Sequence, residues 1–220
     1  AKSKKKEKQN SQSGDFLLVG IGASAGGMKP LLTFFDRVPP ECNMSFVVIQ
    51  HFDPKHQSVM DKILSQHTSL EVSNAEDGES VQSGRVYLKP TDKDLRLQGD
   101  LLVLSDPPAK TPSHLPIDTF FNSLAQHRGE LGACVVLSGT GRDGTLGLKA
   151  VKGAGGLAVV QEQEEAEYKG MPGSAIGTGM ADLILPAEKI PDALLRYARH
   201  PYLTKQEAAE SPDDVTEKDI

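Results

Sequence analysis

The sequence lacks the features that would place a chain in a membrane, outside the cell or on nucleic acid. No apolar run approaches the roughly 18 residues needed to span a bilayer. The N-terminus is basic, but no apolar segment follows Lys8, so it does not read as a secretory signal. Only two cysteines occur in 220 residues, Cys42 and Cys134. Both lie beside apolar segments without CxxC spacing, so the expectation is two reduced, buried thiols in a cytoplasmic protein, not a disulfide or a metal site. The net charge of −6 offers no basic excess, which counts against a nucleic-acid partner. There is no internal repeat.

What remains is the composition of an ordinary soluble protein, 38% hydrophobic and 25% charged. The length fits one domain of about 180 residues flanked by tails. Residues 1–15 are Lys-, Ser- and Gln-rich and read as a disordered basic linker. Residues 201–220 carry Glu207, Glu210, Asp213, Asp214, Glu217 and Asp219 and read as an acidic tail or linker. Neither end holds enough apolar surface to offset the entropy of ordering. The run Lys4-Lys5-Lys6 reads as solvated charge.

Between the tails, residues 16–200 alternate in pattern. Apolar runs at Phe16–Val19, Met44–Gln50, Ala133–Leu137, Leu157–Val160 and Leu183–Leu185, with a shorter one at Arg85–Leu88, read as strands. Helical spacing occurs at 58–67, 117–127, 146–151 and 190–199, and after Pro30. Leu95–Gln98 and Leu101–Leu104 flank Gly99-Asp100, a hairpin signal. The pattern predicts an α/β fold: a doubly wound, mostly parallel sheet with helices on both faces and an antiparallel hairpin at one edge.

The chain is organised around Phe16-Leu-Leu-Val-Gly-Ile-Gly-Ala-Ser24-Ala-Gly-Gly27, a buried-type strand, a turn of small residues and a helix start. Three readings compete for it. Gly22-Ala-Ser24-Ala-Gly26 fits the G-x-S-x-G turn that exposes a nucleophilic serine. Gly20-Ile-Gly22-Ala-Ser-Ala25 fits a G-x-G-x-x-A dinucleotide fingerprint. Small residues at a strand-to-helix turn also serve packing alone.

A further absence separates them. A dinucleotide site wants an acid at the end of the second strand to hold the ribose, but that strand ends Ile49-Gln50-His51, with Asp53 two residues beyond. A serine nucleophile wants a base there, and His51 stands past one strand's carboxyl end as Ser24 stands past the other's. The loop Ser138-Gly-Thr-Gly-Arg-Asp143-Gly144 after a third strand adds Asp143, which can orient the imidazole. Alone, Asp143 reads as a helix N-cap. The same loop has P-loop-like glycines but no lysine, so a phosphate cradle fails. His51-Phe-Asp53-Pro-Lys-His56 is a weak metal candidate, because Pro54 breaks any helix that would align ligands and no second histidine cluster follows. His67, His114, His127 and His200 read as structural or solvated.

With these residues in hand, the stretch from Phe16 to about His200 resembles the catalytic domain of CheB-type chemotaxis receptor methylesterases. The resemblance is carried by Val19–Gly27, Val48-Ile-Gln-His51, Ala75-Glu-Asp-Gly78, Leu137–Gly144 and Gly170-Met-Pro172, in the family's order. It implies that Ser24, His51 and Asp143 are the catalytic triad of a serine carboxyl-ester hydrolase. The activity implied is hydrolysis of glutamyl γ-methyl esters on chemotaxis receptors, with deamidation of glutamines as a second activity. Backbone N–H groups of Ala25 and Thr140 are the implied oxyanion donors. No cofactor or metal is implied. The implied partners are methylated chemoreceptor cytoplasmic helices and a fused or separate methyltransferase domain, with no nucleic acid and no membrane insertion.

The sequence departs from the family pattern at Thr140, where the loop usually has Met, at Arg142, where it usually has Asn, and in His114-Leu-Pro-Ile-Asp118. Typical members carry a receiver domain before the esterase, whereas only the Lys- and Ser-rich stretch precedes Phe16 in this sequence. The expectation is a domain without its own phosphorylation input. Two other functions stay open from the residues: a small-molecule serine esterase on the same site, and a non-catalytic regulatory docking domain.

Overall fold

Seven consecutive residues with no exposed side chain can form a strand only if both faces and both edges of it are covered. Leu17–Ala23 is such a run, and in the computed structural model it is the centre of a large sheet. The structure describes residues 16–50, 57–108 and 114–200. In chain order these form β1 (Leu17–Ala23), α1 (Met28–Phe35), β2 (Met44–Gln50), α2 (Gln57–Leu64), β3 (Glu71–Asn74), β4 (Glu79–Ser80), β5 (Arg85–Leu88), β6 (Asp94–Gln98) and β7 (Leu101–Ser105). They continue with α3 (Pro116–Arg128), β8 (Gly132–Val136), α4 (Thr145–Gly153), β9 (Leu157–Gln161), α5 (Gly170–Ile176), β10 (Leu183–Leu185) and α6 (Ile190–Ala198).

The large sheet has the order β10-β9-β8-β1-β2-β5-β3, with every pairing parallel. Alternate residues of its strands feed two separate cores. Leu17, Val19 and Ile21 pack with α1, α2 and α6 on one face. Leu18 packs with α3, α4 and α5 on the other. This is the doubly wound architecture expected of the alternating pattern. Both cysteines are buried and free, and burial pushes each thiol's pKa up.

The hairpin is present, with Gly99 at φ 60° in its two-residue loop, where a left-handed residue is required. It does not extend the large sheet. It pairs with β4 in a separate antiparallel sheet of order β4-β7-β6. The reason lies in α3: Ser123 Oγ accepts the Leu97 N–H at 2.9 Å, and Leu95, Leu97 and Leu102 bury themselves in the α3 core. The hairpin is thus held against a helix instead of a strand edge.

Two glycines inside β1 let α3 approach. A Cβ on Gly22 would stand 2.5 Å from Ile117 Cγ2, and one on Gly20 would stand 2.9 Å from Phe121 Cε1. They lie within the strand, not in the turn, so packing of α3 accounts for the G-x-G of the dinucleotide pattern. Their effect is to bring the N-terminus of α3 down to the carboxyl end of the sheet.

Candidate active site

The strand order reverses beside β1. From β1 the chain moves through α1 to β2 on one side, and it later returns to β8 on the other. The β1 turn leads to a helix on one face, and the β8 loop leads to α4 on the opposite face. Loops that diverge in this way leave a crevice at the carboxyl ends of the strands, the usual ligand site in open parallel sheets. Ser24 and the 138–144 loop lie at this point.

Ser24 is half-buried at the end of β1. Its N–H donates to the Ser138 carbonyl at 3.0 Å, and its carbonyl accepts the Gly27 N–H at 2.9 Å. The turn closes through Gly26 at φ 67°, a left-handed conformation that side chains rarely adopt. Gly139 faces the serine so closely that a Cβ there would stand 2.9 Å from Ser24 Cβ and 2.1 Å from Met171 Sδ. A small residue is obligatory at Gly139 for the two turns to meet.

Asp143 is 3% exposed and lies under the N-terminus of α3. Its Oδ2 accepts the Ile117 N–H at 3.0 Å, and its Oδ1 accepts the Asp118 N–H at 2.9 Å and the Gly144 N–H at 2.8 Å. Two of these donors are first-turn amides that a helix cannot satisfy internally. The capping role considered for Asp143 is therefore real, but it serves α3, which lies earlier in the chain, as well as its own turn. An acid fixed by three N–H donors cannot swing, which is what an orienting carboxylate needs.

Asp118 lies behind it, 5% exposed, with Oδ1 accepting the Gly147 N–H at 2.7 Å. Its Oδ2 has no hydrogen-bond partner among the described residues. Burial, reinforced by the neighbouring Asp143 charge, pushes its carboxyl up. It ties the start of α3 to the start of α4.

His51 lies outside the described residues, as do His56 and the rest of the metal candidate. Gln50, the residue before His51, is the register partner of Ala23, the residue before Ser24. Of the two oxyanion candidates, Ala25 is half-buried and Thr140 is exposed. His67 pairs with Asp36 at 2.8 Å, and His114 contacts both carboxylate oxygens of Asp94 at 2.7 and 2.9 Å. Both are held in side-chain contacts with a carboxylate, the structural reading expected of them. The stretches 1–15 and 201–220 also lie outside the described residues. Among the described residues no cluster of three or more His, Cys, Asp or Glu could hold a metal ion.

Sequence reasoning missed two residues of this site. The sequence pattern places Ser138 only within a loop and does not single out Gln161. Both are completely or almost completely buried, and Gln161 Oε1 accepts the Ser138 N–H at 2.8 Å. A usable signal was present: a lone polar residue closing an otherwise apolar strand, Leu157–Gln161.

The arrangement brings a hydroxyl on a half-buried turn beside a loop whose buried carboxylate is fixed, where the loops after β1 and β8 diverge. A family profile described as CheB methylesterase matches residues 19–194. A protein-glutamate methylesterase/protein-glutamine glutaminase 2 of Burkholderia pseudomallei is 36% identical over 179 residues, covering 81% of this chain and 52% of that protein. A protein-glutamate methylesterase/protein-glutamine glutaminase of Pyrococcus abyssi is 32% identical over 184 residues, 82% of this chain and 50% of its own. The chain thus spans about half the length of these curated relatives. The crystal structure of the Thermotoga maritima CheB methylesterase catalytic domain superposes with a TM-score of 0.75 at 34% identity, covering 82% of this chain and 98% of that one. With the profile spanning most of the sheet and the fold superposing on that catalytic domain, the chain belongs to the CheB methylesterase family.

Proposed function

We propose that this chain is a protein-glutamate methylesterase working by a Ser24–His51–Asp143 mechanism on methylated chemoreceptor helices at the cytoplasmic side of the membrane. The observation that carries the reading is Ser24 on an open turn at the switch point, next to the loop that fixes Asp143. The names of the relatives, protein-glutamate methylesterase/protein-glutamine glutaminase, supply the substrate class.

Ser24 Oγ attacks the carbonyl carbon of the γ-methyl ester while His51 takes the hydroxyl proton. Asp143 orients His51 and stabilises the imidazolium. Charge develops on the carbonyl oxygen, where the N–H groups of Ala25 and Thr140 are the candidate donors. For Ala25, support comes from the Ser24 carbonyl being held by the Gly27 N–H. A trans peptide points its N–H opposite to its C=O, so the Ala25 N–H faces out of the turn. His51 returns the proton to the departing methanol. Water, deprotonated by His51, then cleaves the acyl-enzyme and releases the glutamate carboxylate and the free serine. Attack on a glutamine amide follows the same steps with ammonia leaving. No helix among the described residues is long and apolar enough to cross a membrane. The methyltransferase domain, fused or separate, would be the opposing activity on the same receptors.

Methanol release from methylated receptor membranes tests the substrate, and fluorophosphonate labelling tests the nucleophile. The reading expects both in the wild type and neither in Ser24→Ala. Labelling without methanol release would instead indicate a small-molecule esterase, and the absence of both a non-catalytic docking domain.

A further inference from the structure

The turn that carries Ser24 is held by a polar chain whose middle members, Ser138 and Gln161, are buried. Ser138 Oγ donates to the Ala25 carbonyl at 2.9 Å and accepts the Tyr168 N–H at 3.0 Å. The Ser138 carbonyl accepts the Ser24 N–H at 3.0 Å. Its N–H donates to Gln161 Oε1 at 2.8 Å, and Gln161 Nε2 donates to Glu165 Oε2 at 3.0 Å. Glu165 Oε2 also accepts the Ala187 N–H at 2.7 Å. One polar chain thus runs from the start of the last helical segment, past the end of β9, to the peptide following the serine.

We propose that Ser138 and Gln161 are positioning residues for the reaction, locking the Ala25–Gly26 peptide and the 138–144 loop in one geometry. The proposal rests on the reading of Ser24 as the nucleophile. Its reason is the freedom of the peptide it locks. Gly26 stands at φ 67°, and glycine alone can rotate there without a side chain's cost. Left to itself, the Ala25 carbonyl could flip towards the crevice, where it would repel a developing oxyanion. The Ser138 hydroxyl holds that carbonyl inward.

Gln161 serves the other side of the junction. It fixes the Ser138 backbone, and the next residue, Gly139, is clamped in turn: its N–H donates to the Tyr168 carbonyl at 3.1 Å and its carbonyl accepts the Met171 N–H at 2.8 Å. The candidate oxyanion loop therefore begins from a fixed point. An apolar residue closing β9 would bury more simply, since an interior amide costs free energy unless both its ends are bonded. Here both ends are bonded, and the bonds lead to the turn.

The test compares wild type, Ser138→Ala and Gln161→Met, a change that keeps length and removes the amide. Each full chain is assayed for p-nitrophenyl acetate hydrolysis, for the rate of fluorophosphonate inactivation and for thermal unfolding. Misplacement of the attacking group should lower kcat and slow inactivation together by about 10- to 100-fold, while KM stays within about twofold. Folded variants with wild-type kcat and inactivation rate, or with a loss confined to KM, would overturn the proposal. If Ser138→Ala does not fold, Gln161→Met decides on the same readouts; failure of both to fold shows a structural role alone and also overturns it. Ser24→Ala is run alongside. Unchanged labelling in that variant would remove the nucleophile reading itself, whereas wild-type rates in Ser138→Ala with Ser24→Ala unlabelled would remove only the positioning role.

Discussion

The two turns that meet at the crevice are built in opposite ways. The β1 turn is small residues throughout, half-exposed, and held in place by backbone groups and one neighbouring hydroxyl. The β8 loop carries its key side chain inward, 3% exposed, under three N–H donors from α3 and Gly144. On the proposed mechanism the nucleophile must meet a substrate, and Ser24 is only half-buried. The proposed orienting acid must stay fixed, and Asp143 is built into the fold. The difference predicts that activity and stability separate at one turn and are tied together at the other.

The largest effect should be at Ser24. Ser24→Ala should remove activity by a factor on the order of 10⁶, with unfolding free energy changed by no more than about 0.5 kcal/mol; denaturant titration beside the esterase assay reads both. Asp143→Asn should break the separation. It should lower kcat by about 10⁴-fold and also cost about 1–3 kcal/mol, because the amide nitrogen turns a donor towards donors. An Asp143→Asn variant as stable as wild type would contradict the embedded-acid half of the comparison.

Gly139→Ala sharpens the contact between the turns. A Cβ 2.1 Å from Met171 Sδ and 2.9 Å from Ser24 Cβ forces a shift. The expected result is about 1–3 kcal/mol of lost stability, together with a slower rate of serine labelling. Gly22→Ala should act at one remove: by pushing Ile117 away it should loosen the amides that hold Asp143, seen as faster hydrogen exchange at 117 and 118.

The smallest effect concerns Asp118. Burial raises its carboxyl above the ordinary 3.8, so the folded state holds the proton more tightly than the unfolded chain does. Stability from this group is full below about pH 3.8 and is lost as pH rises through the raised folded value. Asp118→Asn should remove that loss, so the difference in unfolding free energy should shift towards the variant as pH rises from 4 to 8. A difference independent of pH would show that Asp118 does not titrate in this way.

Strands buried on both faces were legible because short, β-branched apolar runs such as Met44–Gln50 fit a doubly covered strand better than a helix, and the structure reproduces the bounds of that run. The hairpin was legible from Gly99-Asp100, but its sheet was not, since its placement depends on Ser123 of a distant helix. β3 and β4 escaped because they are short, with no buried residue in either. α5 escaped because Gly170-Met-Pro-Gly173 has no helical propensity; its helix forms where Met171 and Ala175 pack into the core. At the candidate site, the positions of Ser24 and Asp143 after buried strands were legible, and the structure places both at the carboxyl ends of β1 and β8. The Ser138–Gln161 link joins residues 23 apart through side chain and backbone, and no spacing rule reports such a bond.

On the proposed mechanism Ser24 and His51 act in one chemical step. The direct test is methanol release from methylated receptor membranes by wild type, Ser24→Ala, His51→Ala and the double variant. If the residues form one unit, each single variant falls to nearly the same background and the double variant falls no further. If the two losses multiply, or if either single variant retains the wild-type rate, Ser24 and His51 do not share a step.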